Sequence, residues 1–214
     1  MKVGVLASGS GTNLQALIDA ASRGELGPAH IVVVGSNVPG CGALERAKQA
    51  GIPTFVRSHN DFATREDFDR ALLDELRRHG VGLLALAGFM RILTPTLLDA
   101  FVHRVVNIHP ALLPAFPGVH GQKQAFEGGV RFSGCTVHFV DAGTDTGPII
   151  AQAVVPVLQG DDEEALRLRI LAEEHRLYPA VIRAIAEGRV SLDGRRVHLR
   201  GTPADLAAGR LRSL

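Results

Sequence analysis

The chain has 214 residues, 46% hydrophobic and 21% charged, with a formal net charge of +1. That length suits one α/β domain or two closely packed halves with a sizeable core, and the near-neutral balance gives no electrostatic case for a nucleic-acid or anionic-membrane partner. Its two cysteines, Cys41 and Cys135, form no CxxC pair, so they fit reduced thiols better than a disulfide framework or a structural zinc site.

The N-terminal MKVGVLASGSG runs straight into a Gly-rich turn, without the longer apolar stretch and cleavage site of a secretory signal. No apolar run approaches membrane-span length, so the expected setting is cytoplasmic. Lys2–Ala7 reads as a strand. Residues 13–23 read as a helix, with Leu14, Leu17, Ile18 and Ala21 on one face. Residues 31–35 form a second strand, 41–50 a short helix stopped by Gly51 and Pro53, and 54–57 a third strand. The spacing of Phe68, Leu72, Leu73 and Leu76 predicts a helix over 64–79, followed by a strand at 83–87. Strands and helices in alternation predict a parallel sheet with helices on both faces, and wholly apolar runs such as VVV and LLAL fit strands buried on both sides.

Further on, 94–101 reads as a helix with Thr94 at the N-cap and Pro95 next, and 105–108 as a fifth strand. A long irregular loop follows, with prolines at 110, 114 and 117 and glycines at 118 and 121; such loops are usually functional. Residues 136–140 and 149–155 read as strands, 162–187 as a long helix, and 190–199 as a hairpin turning on Asp193-Gly194. A tail at 201–214 is expected to be poorly ordered.

The first strand feeds SGSGTN at residues 8–13, just before a helix. Backbone N–H groups with little side-chain cover there meet the positive end of the helix, which favours an anion. Gly9 and Gly11 fit the first two glycines of a dinucleotide fingerprint, but Leu14 stands at the third, and Gly35-Ser36-Asn37 offers no acid for a ribose hydroxyl. A single phosphate monoester fits better; a tight turn with no ligand is the plainer alternative.

The fifth strand ends Asn107-Ile108-His109-Pro110. Alternation puts Asn107 and His109 on one side, at the strand's C-terminal end, where ligands bind in open parallel sheets. An amide and an imidazole there can polarise a carbonyl and move a proton; a polar strand end held by loop hydrogen bonds is the competing reading. Asp145, on the constrained loop Gly143–Pro148, is either a turn-former or a partner facing a histidine, whose pKa it would raise. The remaining histidines show no metal-ligand spacing, and no metal is expected.

SGSGTNLQALIDA, LAGFMRILTP, VVNIHPALLPAFPGVHG, GCTVHFVDAGTDTGPIIAQ and EEHRLYP, spread over residues 8–179, together resemble the folate-dependent formyltransferases, and most closely those acting on glycinamide ribonucleotide. The resemblance implies an open, mostly parallel twisted α/β sheet of about seven strands. It implies a nucleotide-binding half over 1–100 and a catalytic and folate-binding half over 101–200. Carried over, Gly11, Thr12 and Asn13 bind the nucleotide around its phosphate, and Glu174 holds its sugar or glycinamide end. Met90, Arg91, Ile92 and Leu93 line the folate pocket, Arg65 meets the folate's anionic tail, and Asn107 and His109 contact the formyl group, with Asp145 paired to His109. The donor implied is 10-formyltetrahydrofolate, and the reaction is direct transfer through a tetrahedral intermediate. Two positions, Gln122 and Leu171, depart from the polar or histidine side chains of some relatives.

Three alternatives stand beside this one. A formyltetrahydrofolate hydrolase would add an N-terminal domain, and a strand starting at residue 2 leaves no room for it. A formyltransferase acting on tRNA would add a C-terminal nucleic-acid-binding domain. A non-catalytic nucleotide-binding module would not need Asn107, His109 and Asp145. The expected partners are small molecules, with no nucleic acid or membrane, and the expected state is a monomer or homodimer.

Overall fold

The computed structural model describes residues 1–200; the expected tail at 201–214 lies outside the described residues. The larger of two sheets among these residues has seven strands, in the order β3-β2-β1-β4-β5-β6-β7; the β1–β2, β1–β4, β2–β3 and β4–β5 pairs are parallel and the β6–β7 pair is antiparallel. By compactness the chain divides into one unit from Met1 to Asn107 and another from Ile108 onward.

The first unit holds strands β1 (Lys2–Leu6), β2 (His30–Ser36), β3 (Thr54–Val56) and β4 (Leu83–Leu86), and the start of β5 (Val105–His109). Between them run α1 (Thr12–Ser22), α2 (Gly42–Gln49), α3 (Arg65–Arg78) and the short α4 (Pro95–Leu98). Val3, Val5, Val33, Val34, Leu83 and Leu84 are fully buried, as strands covered on both faces require. The order reverses at β1: the chain leaves β1 toward β2 on one side, while β4 and β5 extend the sheet on the other. The C-terminal ends of β1 and β4 therefore meet at the switch point, where open α/β sheets leave a crevice.

The second unit holds α5 (Gly121–Glu127), β6 (Phe132–Phe139), β7 (Ile149–Pro156), α6 (Glu163–Ala186), and a hairpin of β8 (Val190–Asp193) and β9 (Arg196–Leu199). α6 packs on β6 and β7 through a buried stripe that includes Leu166, Ile170, Leu177 and Val181. The Asp162 carboxylate caps it by accepting from the Ala165 N–H.

Three local expectations change. The stretch from Gly121 is the helix α5, whose short length and flanking glycines hide the helical period. β6 starts at Phe132, four residues before the predicted strand, and runs through Gly134. A Cβ at Gly134 would stand 1.9 Å from the Ala153 carbonyl oxygen of β7, so glycine is what lets the two strands pair. Thr94 does occupy the N-cap of α4, but its side chain does not cap it. Its hydroxyl and N–H both turn to the buried Asp69 carboxylate on α3, at 2.8 and 2.5 Å. No helix among the described residues is long and apolar enough to cross a membrane.

Candidate active site

In the first unit the Gly-rich turn is built from backbone. Gly11 is the N-cap of α1, in the left-handed region at φ 74°, and a Cβ on it would stand 2.5 Å from Ala43 Cα. Glycine is thus required twice, by dihedral angle and by the close approach of α2. The carbonyls of the turn face α2: Gly9 O accepts from the Ala43 N–H at 3.1 Å, and Ser10 O from Arg46 Nε at 2.9 Å. No side chain caps α1, and no acid sits in its first turn. α3 and α6, by contrast, begin with a capping side chain and two acids each. The positive end of α1, carrying Thr12 and Asn13, therefore has neither, the arrangement that favours an anion at a helix start.

The segment after β4 lies beside that turn. Ser8 N–H donates to Gly88 O at 3.0 Å, and the Met90 N–H donates to Ser8 Oγ at 2.8 Å. Phe89 and Leu93 are buried, so these two are core packing. Met90 and Ile92 are 68% and 56% exposed, large apolar side chains held out on a segment anchored at both ends, as a surface awaiting a flat ligand would be. Arg91 is half-buried, and Arg65 is exposed at the first position of α3.

In the second unit His109 ends β5, with Asn107 two residues earlier on the same strand and so on the same side. The His109 ring is buried between two acceptors. Nδ1 lies 3.3 Å from Asp145 Oδ2, and Nε2 lies 2.8 Å from the Phe116 carbonyl oxygen. A carbonyl only accepts, so Nε2 carries a proton; with a carboxylate at Nδ1, only the doubly protonated ring satisfies both contacts fully. Asp145 is held in turn. Its Oδ2 accepts from the Gly118 N–H at 2.7 Å, and its Oδ1 lies 3.6 Å from His138 Nε2. A Cβ at Gly121 would press on His109 Nε2 at 2.9 Å, so the helix start at 121 can close over the ring only as glycine.

The supporting loops are tied down separately. Thr136 Oγ1 donates to Ala111 O at 2.7 Å and accepts from the Leu113 N–H at 3.0 Å, fixing the chain after His109. Asp141 Oδ1 accepts from the Gly143 N–H and from Thr146 Oγ1, closing a loop in which Asp145 takes the left-handed φ of 55°. Aspartate tolerates that region better than most side chains.

Electrostatically both partners are shifted downward, His109 against expectation. Burial pushes the His109 pKa below its ordinary value; Asp145 and the Phe116 carbonyl pull it upward, and His138 lowers it again. The expected rise is overturned because desolvation of a nearly fully buried ring outweighs one carboxylate. Burial pushes Asp145 up, but His138, the Gly118 N–H and His109 together hold it below the usual carboxylate range. It is therefore the anion of the cluster. Burial drives the Cys135 thiol far upward, which removes it as a nucleophile.

Glu174 is buried on α6. Leu171 and Gln122 are half-buried on α6 and α5. His138, beside Asp145, is the neighbour that its strand pattern does not single out: its place there is ordinary alternation. Its one visible signal was that it faces inward seven residues before the Asp-bearing turn.

The formyl transferase family model matches residues 1–182. The chain is 42% identical over 212 residues to the phosphoribosylglycinamide formyltransferase of Escherichia coli, covering 96% of this chain and 100% of that protein. It is 52% identical over 188 residues to the trifunctional purine biosynthetic protein adenosine-3 of Drosophila melanogaster, covering 87% of this chain. The match covers only 14% of that much longer protein. Among solved structures it resembles glycinamide ribonucleotide transformylase 1 from Symbiobacterium toebii, with a TM-score of 0.92, 52% identity and 94% of each chain covered.

Proposed function

The chain belongs to the formyl transferase family, and from that premise we propose that it transfers the formyl group of 10-formyltetrahydrofolate to the amine of glycinamide ribonucleotide in purine synthesis. The observation that carries this reading is the buried His109 ring, with a carboxylate behind Nδ1 and a carbonyl oxygen in front of the Nε2 proton. A formyl oxygen is the same kind of acceptor as the Phe116 carbonyl.

In this mechanism the amine attacks the formyl carbon, forming the new C–N bond. Asn107 and the Nε2–H of His109, present in either charge state of the ring, donate to the developing oxyanion, each such donor being worth about 3 kcal/mol in known cases. The bond to the folate nitrogen then breaks. The incoming amine gives up a proton, and the departing nitrogen receives one through His109. Asp145 holds the ring and stabilises the imidazolium. Two balanced proton transfers and a direct displacement need neither a metal nor a covalent enzyme intermediate.

For the substrates, the N–H groups of Gly11, Thr12 and Asn13 take the phosphate, and Glu174 takes the sugar or glycinamide end. Met90 and Ile92 cover the pterin, with Arg91 and Leu93 completing the segment, and Arg65 meets the folate's anionic tail. The protein acts on small molecules in the cytosol, as a monomer or homodimer. The test is a coupled assay with both substrates. Formyl loss that requires glycinamide ribonucleotide is the expected result; loss at the same rate without the amine would point to hydrolysis and sink the transferase reading.

A further inference from the structure

Ser8 belongs by sequence to the Gly-rich turn, but its side chain faces elsewhere. The hydroxyl donates to Asn37 Oδ1 at 2.6 Å and accepts from the Met90 N–H at 2.8 Å, while its own N–H donates to Gly88 O at 3.0 Å. A hydroxyl has one proton; once Asn37 takes it, only lone pairs face Met90. Asn37 is 5% exposed, and its amide nitrogen lies 3.4 Å from His59 Nδ1, which sets which end of the amide meets Ser8. Two bonds thus pin the start of the segment after β4 to residue 8. Asp69 pins its other end through the Thr94 N–H and hydroxyl. Met90 and Ile92 project between the two anchors.

We propose that Ser8 is a positioning residue for the folate-facing segment 88–93, not a member of the phosphate-binding set, with Asn37 orienting its hydroxyl. This rests on the reading of Met90 and Ile92 as the pterin cover. The next residues, Gly9 and Ser10, are exposed and spend their carbonyls on α2, so the turn changes allegiance at residue 8. One side serves the segment after β4, and the other presents amides at the start of α1.

The test separates the two substrates. Loss of one hydrogen bond at an exposed N–H should raise the KM for 10-formyltetrahydrofolate about three- to tenfold in Ser8→Ala, and leave that for glycinamide ribonucleotide within about twofold. Ser8→Thr, which keeps the hydroxyl, should recover most of the loss. Asn37→Ala should shift the folate KM in the same direction by a smaller factor, and it decides the matter if Ser8→Ala does not fold. A rise confined to the nucleotide KM, an equal rise in both, or no change in either overturns the proposal. Wild-type protein that fails to bind 10-formyltetrahydrofolate overturns the activity reading and this proposal with it. Wild-type binding matched by Ser8→Ala overturns this proposal alone.

Discussion

The two candidate binding regions are made of different materials. The turn at residues 8–13 is a backbone device: its glycine, its uncapped helix and its carbonyls turned to α2 are all consequences of main-chain geometry within a few residues. The His109 cluster is centred on the side chains of positions 109, 138 and 145, with the Phe116 carbonyl and the Gly118 N–H completing it, and is assembled by two loops and an antiparallel strand pair. A backbone site tolerates change in its side chains but not in its dihedral angles. A side-chain site behaves in the opposite way.

The largest expected effect tests the second half of that contrast. His109→Ala should lower kcat by about 10²–10⁴-fold, the usual range for a lost acid–base group, with modest changes in either KM; near-normal turnover would remove His109 from the chemistry. Asp145→Asn should follow with a smaller fall, about 10–100-fold. It removes the charge that pulls the buried ring upward, so the His109 pKa should drop further. The limb of the pH–rate profile on which activity falls as pH rises should then move to lower pH, and an NMR titration of the ring should show the same displacement.

The first half of the contrast is tested at the turn. Gly11→Ala forces a side chain into the left-handed region and against Ala43, and should cost about 2–3 kcal/mol of stability and raise the nucleotide KM. Thr12→Ala, which leaves the amides in place, should change that KM far less. Equal effects would mean that the turn binds through side chains after all.

The subtlest test is stability against pH. Because the His109 pKa is lowered in the fold, the unfolded chain takes up that proton more readily. The neutral ring's contribution is therefore fully present above the ordinary histidine value of about 6.5 and is lost as pH falls through the folded pKa. Chemical denaturation of wild type and His109→Gln across that window should show the wild type losing stability relative to the variant. A parallel pair of curves would show that burial does not govern this ring. Asp145 acts in the same direction at lower pH, its contribution being lost as pH falls below the carboxylate range.

Much of the fold was legible because the strands are wholly apolar and the long helices keep their period. Leu72 and Leu76 on α3 and Leu166 and Ile170 on α6 are buried where the spacing put them. Shorter pieces were less legible: α5 is too brief to show a period, and the start of β6 before residue 136 depends on a close approach at Gly134 that no local pattern shows. The site was legible in its residue types and only partly in its electrostatics. Asn107 and His109 follow from alternation on one strand. No local pattern could show that His138 would share the Asp145 carboxylate, or that burial would outweigh that carboxylate at His109.

By itself, then, the sequence determined the order of elements, the parallel sheet, the backbone character of the Gly-rich turn and the family likeness, all of which depend on spacing within a few residues or on motifs read whole. Only the tertiary structure decided which acceptors face the two nitrogens of His109, which way its pKa moves, and that Ser8 hydrogen-bonds the segment after β4. Those depend on desolvation and on groups brought together from distant positions, and neither is a property of any one stretch of chain.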